Sequence, residues 1–341
     1  MENIDDTVLE LIIGHLTSRE KSYHDGLRVL VVGGAGFIGS WLSESLVSLG
    51  ANVTCLDNLS TGSLDNISRI KGKSNFKLLI SDVLNVELSG EYDLVFYGAS
   101  MPAPDMYMAN PVKAMLTDSI GLYRILSKTL DWRSRVVYMS SSEIYGNPEV
   151  VPTPEEYYGR VNPIGLRSPY EESKRFAEAL TMAFYREYGV DVRIARIFNT
   201  YGPRLDPNSP YSRVVTRFIE RALRGEPIEI HGDGSQTRSF TFISDTVSGL
   251  LKLASCSKCS GEVFNIGSIE EVSIIDLAKT IIELTGSKSQ IVHVPPRPDD
   301  PRRRKPDISK AMSKLGWTPR VSLIEGLKLT IDWFKRRISF E

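Results

Sequence analysis

Short apolar runs alternate with amphipathic stretches along most of the chain. Six of these runs are nearly continuously apolar, as expected for strands of a parallel sheet that is buried on both faces. The predicted strands are residues 28–32, 52–56, 76–80, 93–97, 135–139 and 192–196. Helical patterns fill the intervals, and one helix is expected to begin at Asn110-Pro111 and run toward Leu130. The alternation predicts an α/β fold with a Rossmann-type, doubly wound parallel sheet.

The first residues form a separate segment. Leu9, Ile12, Ile13 and Leu16 recur at helical spacing and predict a short amphipathic helix within an N-terminal arm, residues 1–26. We expect this helix to dock on the body of the protein as an ordinary packing element.

The pattern changes again after Asn199, where prolines and glycines break the chain into shorter pieces. Residues 27–200 are therefore expected to form the main sheet domain. Residues 201–341 are expected to form mainly a smaller, irregular lobe, with some strands returning to the sheet. Ser273 and Asp276 have the spacing of a capping box that opens a helix in this lobe.

Composition narrows the setting of the protein. The 341 residues carry a net charge of −1, which gives no general attraction to nucleic acid or to a membrane surface. No apolar run reaches membrane-spanning length, and the acidic start does not match a signal peptide. Three cysteines fit a reducing cytoplasm. Cys256 and Cys259 have the Cys-x-x-Cys spacing of one of the two pairs in a zinc site, but no second pair follows. We therefore expect these cysteines to be incidental and predict no metal.

A glycine-rich turn follows the first predicted strand. Gly33, Gly36 and Gly39 would allow a tight turn, close approach of a pyrophosphate and packing of the next helix on the sheet. Such glycines alone can mark a plain turn. Here a strand precedes them, a helix follows, and Asp57 ends the second strand, which together predict dinucleotide binding. An aspartate at this position accepts hydrogen bonds from ribose hydroxyls and repels a 2′-phosphate, which favours NAD over NADP.

Tyr170 and Lys174 are four residues apart at the start of a predicted helix and share one face. A phenol titrates near 10, and a neighbouring ammonium lowers that pKa. Tyr170 would then accept a proton from a sugar hydroxyl while a nicotinamide accepts the hydride. A solvated helix face is the simpler alternative for this pair alone. Ser141 and Ser142 follow a strand at the ligand-binding edge of the sheet, although in isolation they are most simply a helix-capping turn.

Taken together, these motifs resemble the extended short-chain dehydrogenase/reductase superfamily that acts on nucleotide sugars. The matching segments are residues 33–39, 57–58, 140–146, 170–174 and 196–204. The resemblance extends from about Arg28 to about Phe334. Three further segments are more similar to the UDP-glucuronate decarboxylases, or UDP-xylose synthases, than to other members. These are residues 156–165, 234–240 and 299–308.

The resemblance implies a catalytic sequence. Tyr170 would accept the C4 hydroxyl proton while NAD takes the hydride, with Lys174 lowering the tyrosine pKa and holding the nicotinamide ribose. The resulting 4-keto sugar acid would lose CO₂ and regain a proton at C5, and the hydride would return to C4. Ser141 would bind the C4 oxygen, and Ser142, Glu143 and Arg304 would handle the C5 carboxylate and the replacing proton, since a guanidinium pairs well with a carboxylate.

The resemblance also implies binding residues and an assembly. The expected NAD site comprises Gly33, Gly36, Phe37, Ile38, Gly39, Asp57, Asn58, Thr61, Gly62, Asp82, Val83, Ala99, Tyr170 and Lys174. The expected UDP-sugar site comprises Asn199, Arg213, His231, Gln236 and Arg238. Asn199 would bind the diphosphate, the two arginines would neutralise it or the sugar, and His231 would stack on the uracil unless it is only a surface histidine. The helices after Asn110 and Ser168 would pair in a homodimer.

Several positions depart from the family pattern and keep alternatives open. Tyr97 replaces a histidine, the loop from Ser100 to Pro104 differs, and Leu116 and Arg124 replace a lysine and an asparagine near the ligands. A UDP-sugar 4-epimerase is therefore the second hypothesis, although epimerases usually lack the acidic residue at position 143. The 4,6-dehydratases resemble one another in carrying Asp-Glu at the positions of Ser142 and Glu143, so the serine in this chain weighs against dehydratase activity. A cofactor-binding scaffold or redox sensor without chemistry is the third, and such proteins tend to lose the tyrosine or the lysine.

Overall fold

The structure is a computed structural model that describes residues 3–205, 213–296 and 301–337. The strands are β1 (Arg28–Val32), β2 (Asn52–Asp57), β3 (Phe76–Ile80), β4 (Leu94–Tyr97), β5 (Arg135–Ser141), β6 (Asp191–Ile197), β7 (Thr200–Tyr201), β8 (Ile228–His231), β9 (Thr237–Arg238), β10 (Thr241–Phe242), β11 (Glu262–Ile266), β12 (Val272–Ser273), β13 (Ile291–Val294) and β14 (Arg303–Arg304). The helices are α1 (Ile4–Gly14), α2 (Ser18–His24), α3 (Phe37–Ser48), α4 (Pro104–Ala109), α5 (Pro111–Leu116), α6 (Leu122–Trp132), α7 (Ser168–Tyr188), α8 (Val214–Arg224), α9 (Ile243–Ser255), α10 (Ile274–Thr285) and α11 (Leu323–Lys335).

Seven strands form one parallel sheet in the order β11-β6-β5-β4-β1-β2-β3. The strand order reverses at β1, which leaves a crevice at the carboxyl ends of β1 and β4, the usual ligand position in such sheets. The predicted Rossmann-type fold and all six predicted strands are confirmed, with ends shifted by no more than two residues. Strand β11 was not predicted individually, and it pairs with β6 from the far C-terminal side of the chain.

The sheet is buried on both faces. Along β1, Val29 and Val31 belong to one hydrophobic core, whereas Leu30 and Val32 belong to another. Alternate side chains of a strand point to opposite faces, so a continuously apolar strand supplies both cores at once. The remaining short strands, which come mostly from the C-terminal part, form separate two- and three-stranded sheets.

The helix predicted between Asn110 and Leu130 is wrong in one respect, because it is not continuous. Helices α5 and α6 are separated by a π-helical turn, Thr117–Gly121. Asn110 stands at the N-cap position, but its side-chain amide lies 3.4 Å from the Met106 carbonyl instead of capping the helix. Periodicity misses a π-turn because only one residue is inserted, and such turns often accompany functional sites.

The predicted N-terminal helix is present as α1, with Val8 and Ile12 fully buried. It packs against α3 and α9. Ser273 caps α10 by accepting a hydrogen bond from the Asp276 N–H at 3.1 Å, as the capping pattern predicts. The structure joins Cys256 to Cys259 in a disulfide, so the expectation that this pair is incidental is wrong.

Among the described residues, no helix combines the length and the apolar character that crossing a membrane requires. Nor do the described residues contain a group of three or more histidine, cysteine or acidic side chains arranged to hold a metal ion.

Candidate active site

One cavity of about 380 Å³ runs along the carboxyl edge of the sheet and continues under the C-terminal lobe. Of the residues predicted from sequence, all except Gly62 line it. Gly62 lies directly behind the wall, since a Cβ atom at this position would come within 2.8 Å of the Asp57 carboxylate. The structure thus brings the two predicted ligand sites and the predicted catalytic residues together, although they are spread from residue 33 to residue 304.

One end of the cavity has the shape that a dinucleotide requires. Gly33 adopts a left-handed conformation with φ of +81°, and a Cβ atom at Gly39 would lie 2.0 Å from the Gly33 carbonyl oxygen. Only glycine fits at such a distance, and the open backbone leaves N–H groups and the α3 N-terminus for a pyrophosphate. Asp57 is fixed by the N–H groups of Ala35 and Leu59, at 2.9 and 2.8 Å. These residues fit NAD.

The adjoining wall extends this end. The Asn58 amide donates a hydrogen bond to Asp82 at 3.0 Å, which joins the ends of β2 and β3. Further residues that line this part of the cavity are Phe37, Ile38, Thr61, Val83 and Ala99. A polar edge beside apolar side chains is typical of a site that holds a base and a ribose.

Tyr170 and Lys174 enter the cavity from the first turns of α7. Tyr170 is 5% exposed, and Ser141 at the end of β5 lines the same cavity and acts to lower the pKa of the phenol. The Lys174 ammonium lies 5.8 Å from the Tyr170 ring centroid. Burial raises the pKa of Tyr170, and this effect exceeds the lowering that Lys174 causes in the predicted direction. The sequence does not reveal this because it does not give the burial of the phenol.

Asp118 was not identified from the sequence, yet it is the charged partner of Lys174. It lies in the π-helical turn, is fully buried, and its carboxylate is 2.9 Å from Lys174 Nζ. Lys174 also donates to the Met139 carbonyl at 3.1 Å. Nothing in the sequence connects position 118 with position 174, because the contact depends on how α5 and α7 pack.

Glu143 follows β5 in a short 3₁₀ turn, Ser142–Tyr145, which the Ser141 hydroxyl caps by accepting the Glu143 N–H at 3.2 Å. Its carboxylate is bound by both terminal nitrogens of Arg304 and, at 2.5 Å, by Arg167. Burial would raise the pKa of Glu143, but the two guanidinium groups hold it well below its usual range. Glu143 is therefore a carboxylate at neutral pH.

Arg304 is positioned by a strand pair. Strand β14 runs parallel to β9, with Arg304 in register with Arg238. Arg304 is 2% exposed and also donates to the Gly146 carbonyl at 3.3 Å, while its buried Nε atom has no hydrogen-bond partner. A cation held this firmly in a cavity wall suits an anionic group of a ligand.

Arg167 is a second residue that sequence reasoning missed. It stands at the N-cap of α7, three residues before Tyr170, and it bridges Glu143 and Glu171. The available sequence signal was its position in the loop that leads into the catalytic helix. Its side chain is buried, so its charge acts within the cavity wall.

The far end of the cavity contains the predicted nucleotide-sugar residues. The Gln236 amide donates to the His231 carbonyl at 2.9 Å, and the His231 Nδ1 atom is 3.0 Å from the Pro295 carbonyl. Asn199 lies close to the Ser239 carbonyl at 3.5 Å. Arg213 precedes α8 and reaches the cavity near Tyr170, where burial lowers its pKa. A diphosphate bound beside Arg213 would supply negative charge that pairs with its guanidinium.

Comparisons with known proteins agree with this arrangement. Residues 30–330 match the family described as GDP-mannose 4,6 dehydratase. UDP-glucuronic acid decarboxylase 1 of Xenopus tropicalis is 44% identical over 320 residues, which cover 94% of this chain and 75% of that protein. The epimerase Mth375 of Methanothermobacter thermautotrophicus superposes with a TM-score of 0.87 at 35% identity, covering 93% of this chain and 94% of that chain. The dTDP-glucose 4,6-dehydratase DesIV of Streptomyces venezuelae, solved with NAD, has a TM-score of 0.84 at 28% identity and covers 91% and 98% of the two chains.

Proposed function

Since this chain belongs to the GDP-mannose 4,6 dehydratase family, we propose that it is an NAD-dependent UDP-glucuronate decarboxylase that forms UDP-xylose. The observation that carries the proposal is the Glu143–Arg304 pair, which lies in the same cavity as Tyr170, Lys174 and Ser141. A cation suited to a sugar carboxylate, in the same cavity as a tyrosine suited to accept a hydroxyl proton, supports this reaction. The 44% identity to curated UDP-glucuronic acid decarboxylases supports the same reaction.

The glycine turn and Asp57 would hold NAD, with Lys174 and Tyr170 at its nicotinamide end. When bound there, NAD would accept a hydride from C4 of the sugar and later return it. Tyr170 accepts the C4 hydroxyl proton, and Ser141, which lines the same part of the cavity, donates a hydrogen bond to the C4 oxygen. Because the pKa of Tyr170 is raised, we expect kcat/KM to increase as the pH rises from neutral.

The C4 ketone turns the sugar into a β-keto acid. The bond from C5 to the carboxylate then breaks, CO₂ leaves, and the electron pair moves to the C4 oxygen. Ser141 and the newly protonated Tyr170 donate hydrogen bonds to that oxygen and stabilise the enolate. C5 must next gain a proton before the hydride returns.

Glu143 does not carry that proton in the structure, since its pKa is held low by Arg304 and Arg167. A substrate carboxylate that binds Arg304 competes for the same guanidinium and weakens its hold on Glu143. The pKa of Glu143 then rises, which allows it to bind a proton and deliver it to C5. Ser142 is buried beside Glu143 and lines the same part of the cavity.

A direct product assay tests the proposal. Incubation with UDP-glucuronate and NAD is expected to release CO₂ and UDP-xylose, measured by mass spectrometry. The Tyr170→Phe variant should bind NAD normally and lose about 10²–10⁴-fold in turnover, because only its acid–base hydroxyl is removed. Absence of both products with a protein that binds NAD would refute the decarboxylase.

A UDP-sugar 4-epimerase, acting on UDP-glucose/galactose or on the uronic acids, is the second candidate. It is favoured by Met101, which lies in the sugar-facing loop and packs with Tyr107 and Tyr170 in an apolar cluster. Such a surface gives no specific contact to a carboxylate. Detection of the C4 epimer with all carbons retained would support this candidate against the decarboxylase.

We propose that the protein is a homodimer. Large apolar side chains are exposed along adjacent helices, namely Val112 and Met115 of α5, Tyr123 of α6 and Phe176 of α7. Contiguous exposed apolar area on neighbouring helices is typical of an interface. Phe176→Glu should yield monomers in sedimentation analysis, whereas Val292→Glu, at an exposed apolar position on β13, should not. A monomeric unmodified protein would contradict the proposal.

We also propose that residues 27–200 supply mainly the NAD site and residues 201–341 mainly the nucleotide-sugar site. The described cavity residues before Asn199 surround the glycine turn and Tyr170, and those after it include His231, Arg238 and Arg304. Substitution of Arg238 by glutamine should weaken UDP binding in calorimetry and leave NAD binding unchanged. The reverse result would reject this division.

A further inference from the structure

Asp118 is a buried anion that the steps described above do not use. One of its carboxylate oxygens lies 2.9 Å from Lys174 Nζ, and both side chains are almost completely enclosed. The other oxygen accepts a hydrogen bond from Ser100 at 2.7 Å. Tyr138 and Ser173 approach the same carboxylate at 3.4 Å each. An anion with this many donors has a fixed position, and so does the ammonium that it binds.

The backbone at Asp118 directs its side chain toward α7. The π-helical turn Thr117–Gly121 contains Asp118 and packs against α7. The Thr117 carbonyl accepts the Tyr97 hydroxyl at 2.6 Å, so this turn is also tied to the end of β4. A π-turn inserts a residue and changes the direction of the side chains in the helix.

Lys174 is held in its charged form by these neighbours. Burial opposes the charge, yet Asp118, together with the Tyr170 phenol and Glu178 on α7, raises the pKa of Lys174. The ammonium also lies 5.1 Å from the Tyr138 ring centroid of β5. The positive charge of Lys174 thus interacts with both Asp118 and the Tyr170 phenol.

Tyr170 is surrounded by charged and titratable groups from several elements. Lys174 of α7 and Arg213, at the start of α8, favour the phenolate, whereas burial and Asp118 favour the phenol. Tyr107 of α4 stacks on the Tyr170 ring with centroids 5.3 Å apart, and Tyr138 of β5 lies on the Lys174 side. Glu143, beyond Ser141, is neutralised by its own arginines.

We propose that Asp118 is a positioning residue that fixes the Lys174 ammonium and sets the pH at which Tyr170 becomes a base. The proposal rests on the proposed function, in which Tyr170 accepts the C4 hydroxyl proton. Asp118 and Lys174 together are neutral, so an ionised Tyr170 leaves this buried group of three with a net charge of −1. Without the Asp118 charge, the same group with an ionised Tyr170 is neutral, and ionisation occurs at lower pH.

Asp118→Asn tests the proposal because it removes the charge and keeps the size and the hydrogen-bond acceptor for Ser100. The tyrosinate ultraviolet difference spectrum is titrated for the NAD-loaded wild type and variant, and the signal of Tyr170 is isolated by subtracting the matching Tyr170→Phe protein. We expect the pKa of Tyr170 to fall by about one unit or more in the variant. An unchanged or higher value overturns the proposal. This titration needs no substrate, so its result is independent of whether UDP-glucuronate is decarboxylated.

The pH dependence of kcat/KM gives a second measurement on the same proteins. Its acidic limb should move to lower pH in Asp118→Asn by a shift similar to that of the phenol. Asp131→Asn, at an exposed position of α6, should match the wild type. A reduced kcat with an unmoved limb would indicate a structural role alone and would reject the proposal. If the asparagine variant does not fold by circular dichroism, Asp118→Ser, which is also uncharged, replaces it in both measurements.

Discussion

At the scale of single residues, the cavity is defined by charges that neutralise each other in pairs. Lys174 is paired with Asp118, and Glu143 is paired with Arg304 and Arg167. Arg213 lies in the cavity near Tyr170, where burial lowers its pKa. This arrangement leaves positive charge available for a diphosphate and a sugar carboxylate, and it keeps Tyr170 protonated until ligands change the balance.

Glu143→Gln tests the role of the paired carboxylate. The substitution preserves shape, but it leaves the buried Arg304 without its anion, leaves Arg167 with Glu171 alone, and removes a proton carrier. Turnover of UDP-glucuronate should fall by about 10²–10⁴-fold. NAD affinity, measured by fluorescence titration, should stay within about twofold because Glu143 lies outside the dinucleotide end. Glu149→Gln, an exposed carboxylate paired with Arg160, serves as the control and should retain full activity.

The catalytic residues that sequence reasoning identified are those with a local pattern. Tyr170 and Lys174 share a helix face, and Ser141 and Glu143 follow a strand end, so spacing and family resemblance were sufficient to identify them. Asp118 and Arg167 have no such pattern. Their roles depend on contacts across 56 and 24 positions, from Asp118 to Lys174 and from Arg167 to Glu143.

At the scale of secondary structure elements, the turn between β1 and α3 depends on glycine for a steric reason. A Cβ atom at Gly39 would lie 2.0 Å from the Gly33 carbonyl oxygen, a distance that forces the backbone to move. The glycines were identified from the sequence because the turn, the strand and the helix are contiguous. The π-turn in the helix after Pro111 was not identified, because one inserted residue leaves the hydrophobic periodicity nearly unchanged.

Gly39→Ala is expected to reduce NAD binding strongly. Either the helix α3 moves away from the turn or the turn opens, and both changes separate the N–H groups that face the pyrophosphate. We expect at least a tenfold increase in the Kd for NAD by calorimetry, equivalent to about 1.4 kcal/mol. Gly14→Ala is the matched control, since a Cβ atom at Gly14 meets nothing within 4 Å. Equal NAD affinity in the two variants would show that the close approach is unimportant.

At the scale of the whole molecule, the N-terminal arm joins the sheet domain to the C-terminal lobe. Asp5 binds the buried Arg204 at 3.0 Å, and Arg204 also contacts Glu44 of α3. His15 lies 2.9 Å from Asp245 of α9, which in turn accepts the Arg320 N–H at 3.0 Å. The arm therefore has packing and charge contacts with both parts, which its amphipathic pattern alone did not specify.

Asp5→Ala should destabilise the protein by about 3 kcal/mol, because Arg204 is left buried with one anion instead of two. Chemical denaturation followed by circular dichroism measures this free energy of unfolding. Asp6→Ala provides the comparison, since Asp6 is 52% exposed and its ion pair with Arg69 should contribute less than about 1 kcal/mol. Similar losses in the two variants would contradict the role assigned to burial.

The buried His24 of the arm predicts a pH dependence of stability. Burial lowers its pKa from 6.5 to about 4. As the pH falls, His24 is therefore protonated in the unfolded chain at a higher pH than in the folded protein. His24 has no effect above about pH 7, and the free energy of unfolding should fall by about 3 kcal/mol as the pH drops from 6.5 to 4. His24→Gln should reduce this slope in denaturation curves. His293→Gln, at an exposed position, should not alter it.

The sequence by itself determined the α/β class, the six central strands, the glycine turn, the Tyr170–Lys174 pair and the membership of the family, because each depends on neighbouring residues or fixed spacing. Tertiary structure decided the rest. It joined Cys256 to Cys259, placed Asp118 against Lys174, and enclosed Glu143 between Arg304 and Arg167. Burial and long-range pairing set the charge state of a catalytic group, and neither quantity is encoded in local spacing.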